Sequence, residues 1–260
     1  MSESHSDLEG VQQHGSGGDR GRILQLHEAR WLRKVISACL CLAGLGCQAG
    51  WGAHPLDTDD PDTVPPGRLE LQLVVEFQGG GGVQAAATGI TLGITPYLDV
   101  GIGSCHLWDD VDLGFADPEL AVKWNIPRPD GSNRSLALSG GYVLTGHADG
   151  RETCLTLISE HRMQRATLLL NVGRTWTGED GTPDQFGWGL ALLKPVSDRL
   201  TLATEITGQN QIAGSGSARH FLAGLMYESR TSLVYSAGVR YNPDEPSARW
   251  QFTTGITWEF

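Results

Sequence analysis

From Leu69 to the carboxy terminus, charged and amide side chains recur at every second position, opposite apolar ones. Glu70, Gln72 and Glu76 alternate with Leu69, Leu71, Leu73, Val75 and Phe77. Asp99 sits between Leu98 and Val100, and Glu119, Lys123 and Asn125 alternate with Leu120, Val122, Trp124 and Ile126. The same phase puts Asn171, Glu205, His220, Arg240, Gln251 and Glu259 on the polar side of later segments. Side chains spaced two apart in extended chain share a face but do not converge on one reacting atom. Their chemistry is that of a lining, which sorts solutes by size and charge. These residues are the candidate lumen-lining set, and the plainer alternative is a packed, salt-bridged interior that only stabilises the fold.

No catalytic constellation accompanies them. A nucleophile elbow of the G-x-S-x-G type is absent. His147 and His161 fall in connections and His220 on the polar face, so none stands where a barrel lipase keeps its base, on the outer surface. Of five cysteines, Cys39, Cys41 and Cys47 lie near the amino terminus, and Cys105 and Cys154 share no short motif. They read as free thiols rather than a metal site or a disulfide, and nothing calls for a cofactor. The formal charge is −11 and only three residues are lysine, which argues against nucleic acid as a partner. The acidic stretch HPLDTDDPDTVPPG, residues 54–67, could fold into the mouth of a barrel or chelate a cation such as Ca²⁺. Its prolines and charge favour a solvated tail.

The elements that must position the lining are strands. Strands are expected over 69–77, up to 94, from 98, over 119–126, 135–144, 165–176, 186–192, 200–206, 218–227, 233–241 and 250–260, with a short one near 154–159. The last alternates without a break: Trp250, Phe252, Thr254, Ile256, Trp258 and Phe260 against Gln251, Thr253, Gly255, Thr257 and Glu259. Twelve strands at about 17 residues each, connection included, suit strands of about 10 residues crossing a bilayer. Brief connections alternate with longer ones rich in Asp, Glu, Gly and Pro, which places both termini in the periplasm. Acids of the longer connections include Asp109, Asp110, Asp112, Glu179, Asp180, Asp184, Asp244 and Glu245. They could bridge to lipopolysaccharide through divalent cations, although solvation of the loops is the simpler role.

The fold class is therefore all-β, a transmembrane antiparallel up-and-down barrel of about twelve strands. A soluble β-sandwich would alternate too. Against it stand aromatics near strand ends, as in interfacial girdles: Trp108, Trp124, Trp176, Trp188, Tyr227, Tyr241, Trp250 and Trp258. The terminal Phe260, with Trp250, Phe252, Ile256 and Trp258, reads as an outer-membrane assembly signal.

Residues 1–29 are polar and aperiodic, a disordered extension. Residues 30–53 carry Arg30, Arg33 and Lys34 ahead of the apolar run Val35–Leu45 and then small residues, the layout of a signal peptide cleaved after Ala53, or after Ala49. Residues 54–67 form the acidic periplasmic lead, and 68–260 the barrel.

The mature part also resembles a family of outer-membrane transporters named for the "MetA pathway of phenol degradation". The resemblance rests on His54–Asp60, Leu69-Glu70-Leu71, Ile94–Gly101, Asp117–Trp124, Asn171-Val172-Gly173, Glu205–Gly208 and the final strand. It implies a bacterial outer-membrane barrel with a transport role and no catalytic motif, and it leaves the cargo unnamed; the expected function is passive passage of small solutes, with hydrophobic or aromatic compounds as candidates. The expected partners are outer-membrane lipid and lipopolysaccharide, the barrel assembly machinery and an unidentified small-molecule cargo.

Overall fold

The computed structural model describes residues 54–78, 83–108, 113–115, 117–129, 131–144, 152–177, 184–211, 217–244 and 249–260. The expected extension and signal peptide lie outside these residues, as do His147, Asp109, Asp110, Asp112, Glu179, Asp180 and Glu245. The side chains of Cys105 and Trp108 do so too.

In chain order the strands are β1 (Leu69–Gln78), β2 (Val83–Thr95), β3 (Leu98–Trp108), β4 (Leu113–Phe115), β5 (Glu119–Ile126), β6 (Arg134–Val143) and β7 (Thr153–Arg162). There follow β8 (Thr167–Trp176), β9 (Gln185–Pro195), β10 (Leu200–Gln211), β11 (Ser217–Arg230), β12 (Leu233–Tyr241) and β13 (Trp250–Glu259). All pairings are antiparallel between neighbours in sequence, and β1 pairs with β13 to close the ring. Both β4 and β5 pair with β3, His106 opposite Phe115 and Gly103 opposite Glu119. They are two pieces of one stave, interrupted at Asp117-Pro118, where proline has no N–H to give a ladder. The wall is thus a closed up-and-down barrel of twelve staves.

Closure rules out the sandwich, which would leave two open edges. The stave expected to be short, near 154–159, is a full ten residues as β7. Its inward residues Ile158 and Glu160 are buried, and its outward Leu155 and Leu157 are exposed. Charged residues at its end, Glu160, His161 and Arg162, blur the alternation in sequence.

Outward positions are apolar and exposed on every side: Leu92, Val122, Leu136, Leu157, Leu170, Leu190, Leu202, Leu225, Tyr235 and Phe252 among them. A wall this apolar is soluble only in hydrocarbon. Aromatics collect at its two ends. Tyr241 stacks obliquely on Trp250 at one end, and Trp258 on Phe260 at the other, each pair with centroids 4.8 Å apart. Trp188 lies on the outer surface over Gly208, where an added Cβ would come within 2.5 Å of the indole. The carboxy terminus and β1 meet at the end with the short turns Thr95–Leu98, Pro195–Leu200 and Arg230–Leu233; this is called the terminal end below, and its opposite the far end.

An arginine on the outer face tests this orientation. Val172→Arg, mid-way along β8 and exposed, is expected to lower the folding free energy in a bilayer by about 2–4 kcal/mol. Thr175→Arg, on the inward phase of the same strand, should cost well under half of that in the same urea titration.

Candidate functional site

The inward side chains do not surround an empty bore. Residues 54–66 run inside the barrel, and the expectation of a solvated tail is corrected here. His54, Leu56, Thr58, Asp59 and Val64 are all buried. The reason is visible in the lead itself. Four of its residues, Pro55, Pro61, Pro65 and Pro66, have no N–H to satisfy, and the wall supplies partners for much of what remains.

One carboxylate does the work of a cap. Glu205 on β10 accepts from the backbone N–H of Asp57 (2.9 Å) and of Thr58 (2.5 Å). Asn171 on β8, with its amide turned to satisfy both groups, accepts from the Asp59 N–H at 2.6 Å and donates to the Asp59 carbonyl at 3.1 Å. Lys123 on β5 donates to the Asp59 carboxylate and to the Asp60 carbonyl, both at 3.2 Å. Asn125 donates to the Pro61 carbonyl at 2.8 Å, and Asp99 accepts from the Val64 N–H at 3.1 Å. Arg162 pairs with Asp62 at 2.7 Å and with Glu160 at 2.6 Å. Arg240 on β12 holds Asp57, Glu76 (3.2 Å) and Gln251 (3.3 Å). His54 places one ring nitrogen on Ser236 and the other 2.6 Å from the Thr253 hydroxyl.

Packing completes the seat. Leu56 enters an apolar patch of Leu169, Ala191, Ala203 and Leu222, flanked by Leu193 and Met226. Burying a leucine in this way contributes about 1.5–3 kcal/mol. Glycines face the lead where its backbone or rings come close to the wall. A Cβ at Gly93 would lie 2.2 Å from the Pro65 carbonyl oxygen, at Gly224 2.6 Å from Pro55, and at Gly255 2.7 Å from the His54 ring.

The lead leaves a cavity on each side. One of about 470 Å³ opens toward the terminal end, lined in part by Glu70, Gln72, Asp99, Lys123 and Glu259. The other, of about 480 Å³, lies toward the far end, with Glu76, Glu119, Asn171, His220 and Arg240 in its wall. Asp59 borders both. The remaining candidates, Asn125, Glu205 and Gln251, are engaged with the lead or with Arg240. Every candidate lining residue is therefore placed on the inside, but many hold the lead instead of lining open space.

Sequence reasoning missed the seat: Ser236, Thr253, the glycines and the apolar patch. Its signal was Leu169, Leu193, Leu222 and Met226 standing on the polar phase of their strands. The Ca²⁺ alternative for the lead is not supported, since among the described residues no group of three or more metal-binding side chains comes together. The Lys123 ammonium instead compensates Asp59. Cys154 is a free thiol, 3.8 Å from Glu119.

No family model matches the sequence, and neither does any curated protein. Solved structures do match. The COG4313 outer membrane channel from Pseudomonas putida F1 superposes with a TM-score of 0.61 at 11% identity, over 79% of this chain and 100% of that one. The fold is that of an outer-membrane porin. The NanC porin matches with a TM-score of 0.58 at 10% identity (72% of this chain, 98% of that one), and the KdgM porin with 0.56 at 9% (74% and 99%). The porin fold and the apolar outward wall are those of a barrel that sits in a lipid bilayer.

Two groups of the lead titrate against docking in opposite senses. Burial, with the Arg240 charge adding to it, pushes the His54 imidazole down from 6.5 to about 4. Acid between those values protonates the free lead but not the docked one, so docking weakens as pH falls. Burial also pushes the Asp59 carboxyl up from 3.8 to about 7, against the pull of Lys123. Here acid protonates the docked form first, and docking strengthens as pH falls. A spin label on Pro65→Cys, in a chain otherwise free of cysteine, reads this out. In Asp59→Asn the label should become more mobile from pH 6.5 toward 4, and in His54→Gln less mobile from pH 7 toward 4, by up to about tenfold in the docking constant per unit.

Proposed function

We propose that this chain is a passive outer-membrane channel for small solutes, with the lead as the element that sets its width. The observation that carries the reading is the pair of polar cavities, one on each side of residues 54–66, inside a closed wall. The matching structures include two porins and an outer membrane channel, which supports the same reading. On this proposal the terminal end faces the periplasm, because the short turns are there and such barrels keep short turns on that side. The aromatic residues of the last strand, Trp250, Phe252, Trp258 and Phe260, together with Ile256, would then serve recognition by the assembly machinery.

The resemblance to the MetA-pathway family extends the cargo to small hydrophobic or aromatic compounds. That extension rests on the resemblance alone. An enzyme reading draws no support from the hydroxyl–imidazole contacts of His54. His54 spends both ring nitrogens on Ser236 and Thr253 and is only 8% exposed, so it holds the lead and offers no base to a substrate.

A second reading, a barrel that is plugged and purely structural, is favoured by how many strands grip the lead: β3, β5, β7, β8, β10, β12 and β13 each give it a side chain. Planar-bilayer recordings of the refolded chain separate the two. Under the channel reading the intact protein shows discrete steps, and deletion of residues 54–66 raises them several-fold. Silence of the intact protein with steps only after deletion would support the plug, and silence of both would sink transport.

A further inference from the structure

The charges around the two cavities are unequal in a way that goes beyond an acidic composition. The terminal-end cavity is bordered by seven carboxylates and two cationic side chains, and the far-end cavity by five and two. Every one of those cations is already held by an acid. Lys123 is on Asp59 at 3.2 Å, Arg162 on Asp62 and Glu160, Arg174 on Asp184 at 2.7 Å, and Arg240 on Asp57 and Glu76. None has a charge left over for a passing anion. Among the described residues Asp60, Glu70, Asp99 and Glu119 have no cation in contact. Asp60 and the buried Asp99 accept from the backbone N–H groups of Asp62 and Val64 instead. That leaves Glu70, which borders the terminal-end cavity, and Glu119, which borders the far-end one 3.8 Å from the Cys154 thiol. A solute crossing the barrel would thus meet uncompensated negative charge both before and after the lead.

Resting on the channel reading above, we propose that the passage is selective for cations, with Glu70 on one side of the lead and Glu119 on the other as the groups that exclude anions. A narrow cleft lined by one sign of charge, with low-dielectric walls, concentrates counterions and repels co-ions. The solutes admitted are small and positively charged, inorganic or organic. Paired ions of the lead contribute little to this field, because each acid there is matched by a wall cation or by backbone N–H groups.

The test is the reversal potential of the intact, refolded chain under a KCl gradient at about pH 8, well above the ordinary carboxylate range. The expected result is a preference for K⁺ over Cl⁻ of about tenfold, the lower end of what a charged cleft supplies. The double variant Glu70→Gln, Glu119→Gln is expected to bring the ratio close to unity while migrating as a folded barrel before heating. A second measurement needs no variant: conductance at low salt should stay above proportionality to bulk concentration, because the lining retains K⁺. Current with no preference, or with a preference for Cl⁻, overturns cation selectivity and leaves the channel reading standing. No current from the intact chain at any voltage removes both.

Discussion

Leu69 and Phe260 exchange both of their backbone hydrogen bonds, at 2.8 and 2.9 Å, and with them the first and last staves join along their whole length. In hydrocarbon an unpaired N–H or C=O costs several kcal/mol, so a sheet can cross a membrane only when it has no edge. Once closed, the wall divides every strand into an outward phase that must be apolar and an inward phase that is free of lipid. The inward carboxylates, amides and cations are permitted by that division, and so is the lead. A segment with several buried backbone groups could not be held in lipid, but inside the ring it finds a donor or acceptor at most turns of its path.

The lead shows what the inward phase does with its freedom. It is held by a mixture of weak and strong contacts distributed around the ring, with Glu205, Asn171 and Lys123 at its centre. The buried pairs matter most here. An exposed pair such as Arg219 with Asp244 contributes little, whereas removing Lys123 would take the counter-charge from the buried Asp59. The apolar patch around Leu56 adds a term that salt does not screen. The result is a lumen with two polar chambers and a central crossing, in place of a uniform bore.

Much of this was legible in the sequence. Period-two alternation located the staves, because lipid on one side and a lumen on the other enforce it residue by residue, and the unbroken run Trp250 to Phe260 fixed the phase. That phase put Glu70, Lys123, Asn171, Glu205 and Arg240 on the inward side, where they border the cavities or hold the lead. Alternation failed where it has no purchase. At β7 the charged end Glu160–Arg162 hid the stave's true length. In residues 54–66 there is no period to read, and the segment's fate depends on partners up to 199 positions away, as for His54 and Thr253. Such distances are invisible to any local pattern. Leu222 and Met226, on the polar phase, were the trace the seat left, and they are uninformative until something is known to cover them.

The glycines opposite the lead carry one more implication. Gly93, Gly189, Gly224, Gly238 and Gly255 form a mould shaped to the lead, to its backbone at Gly93 and to the side chains of His54, Pro55 and Thr58 at the others, and the mould is distributed from β2 to β13. Its parts come together only when the final strand has been laid against the first. The lead is made before any of the wall, yet its seat is the last thing in the molecule to exist. Order of synthesis and order of placement are therefore reversed, and residues 54–66 must wait, unsheltered, until the barrel that shelters them is complete.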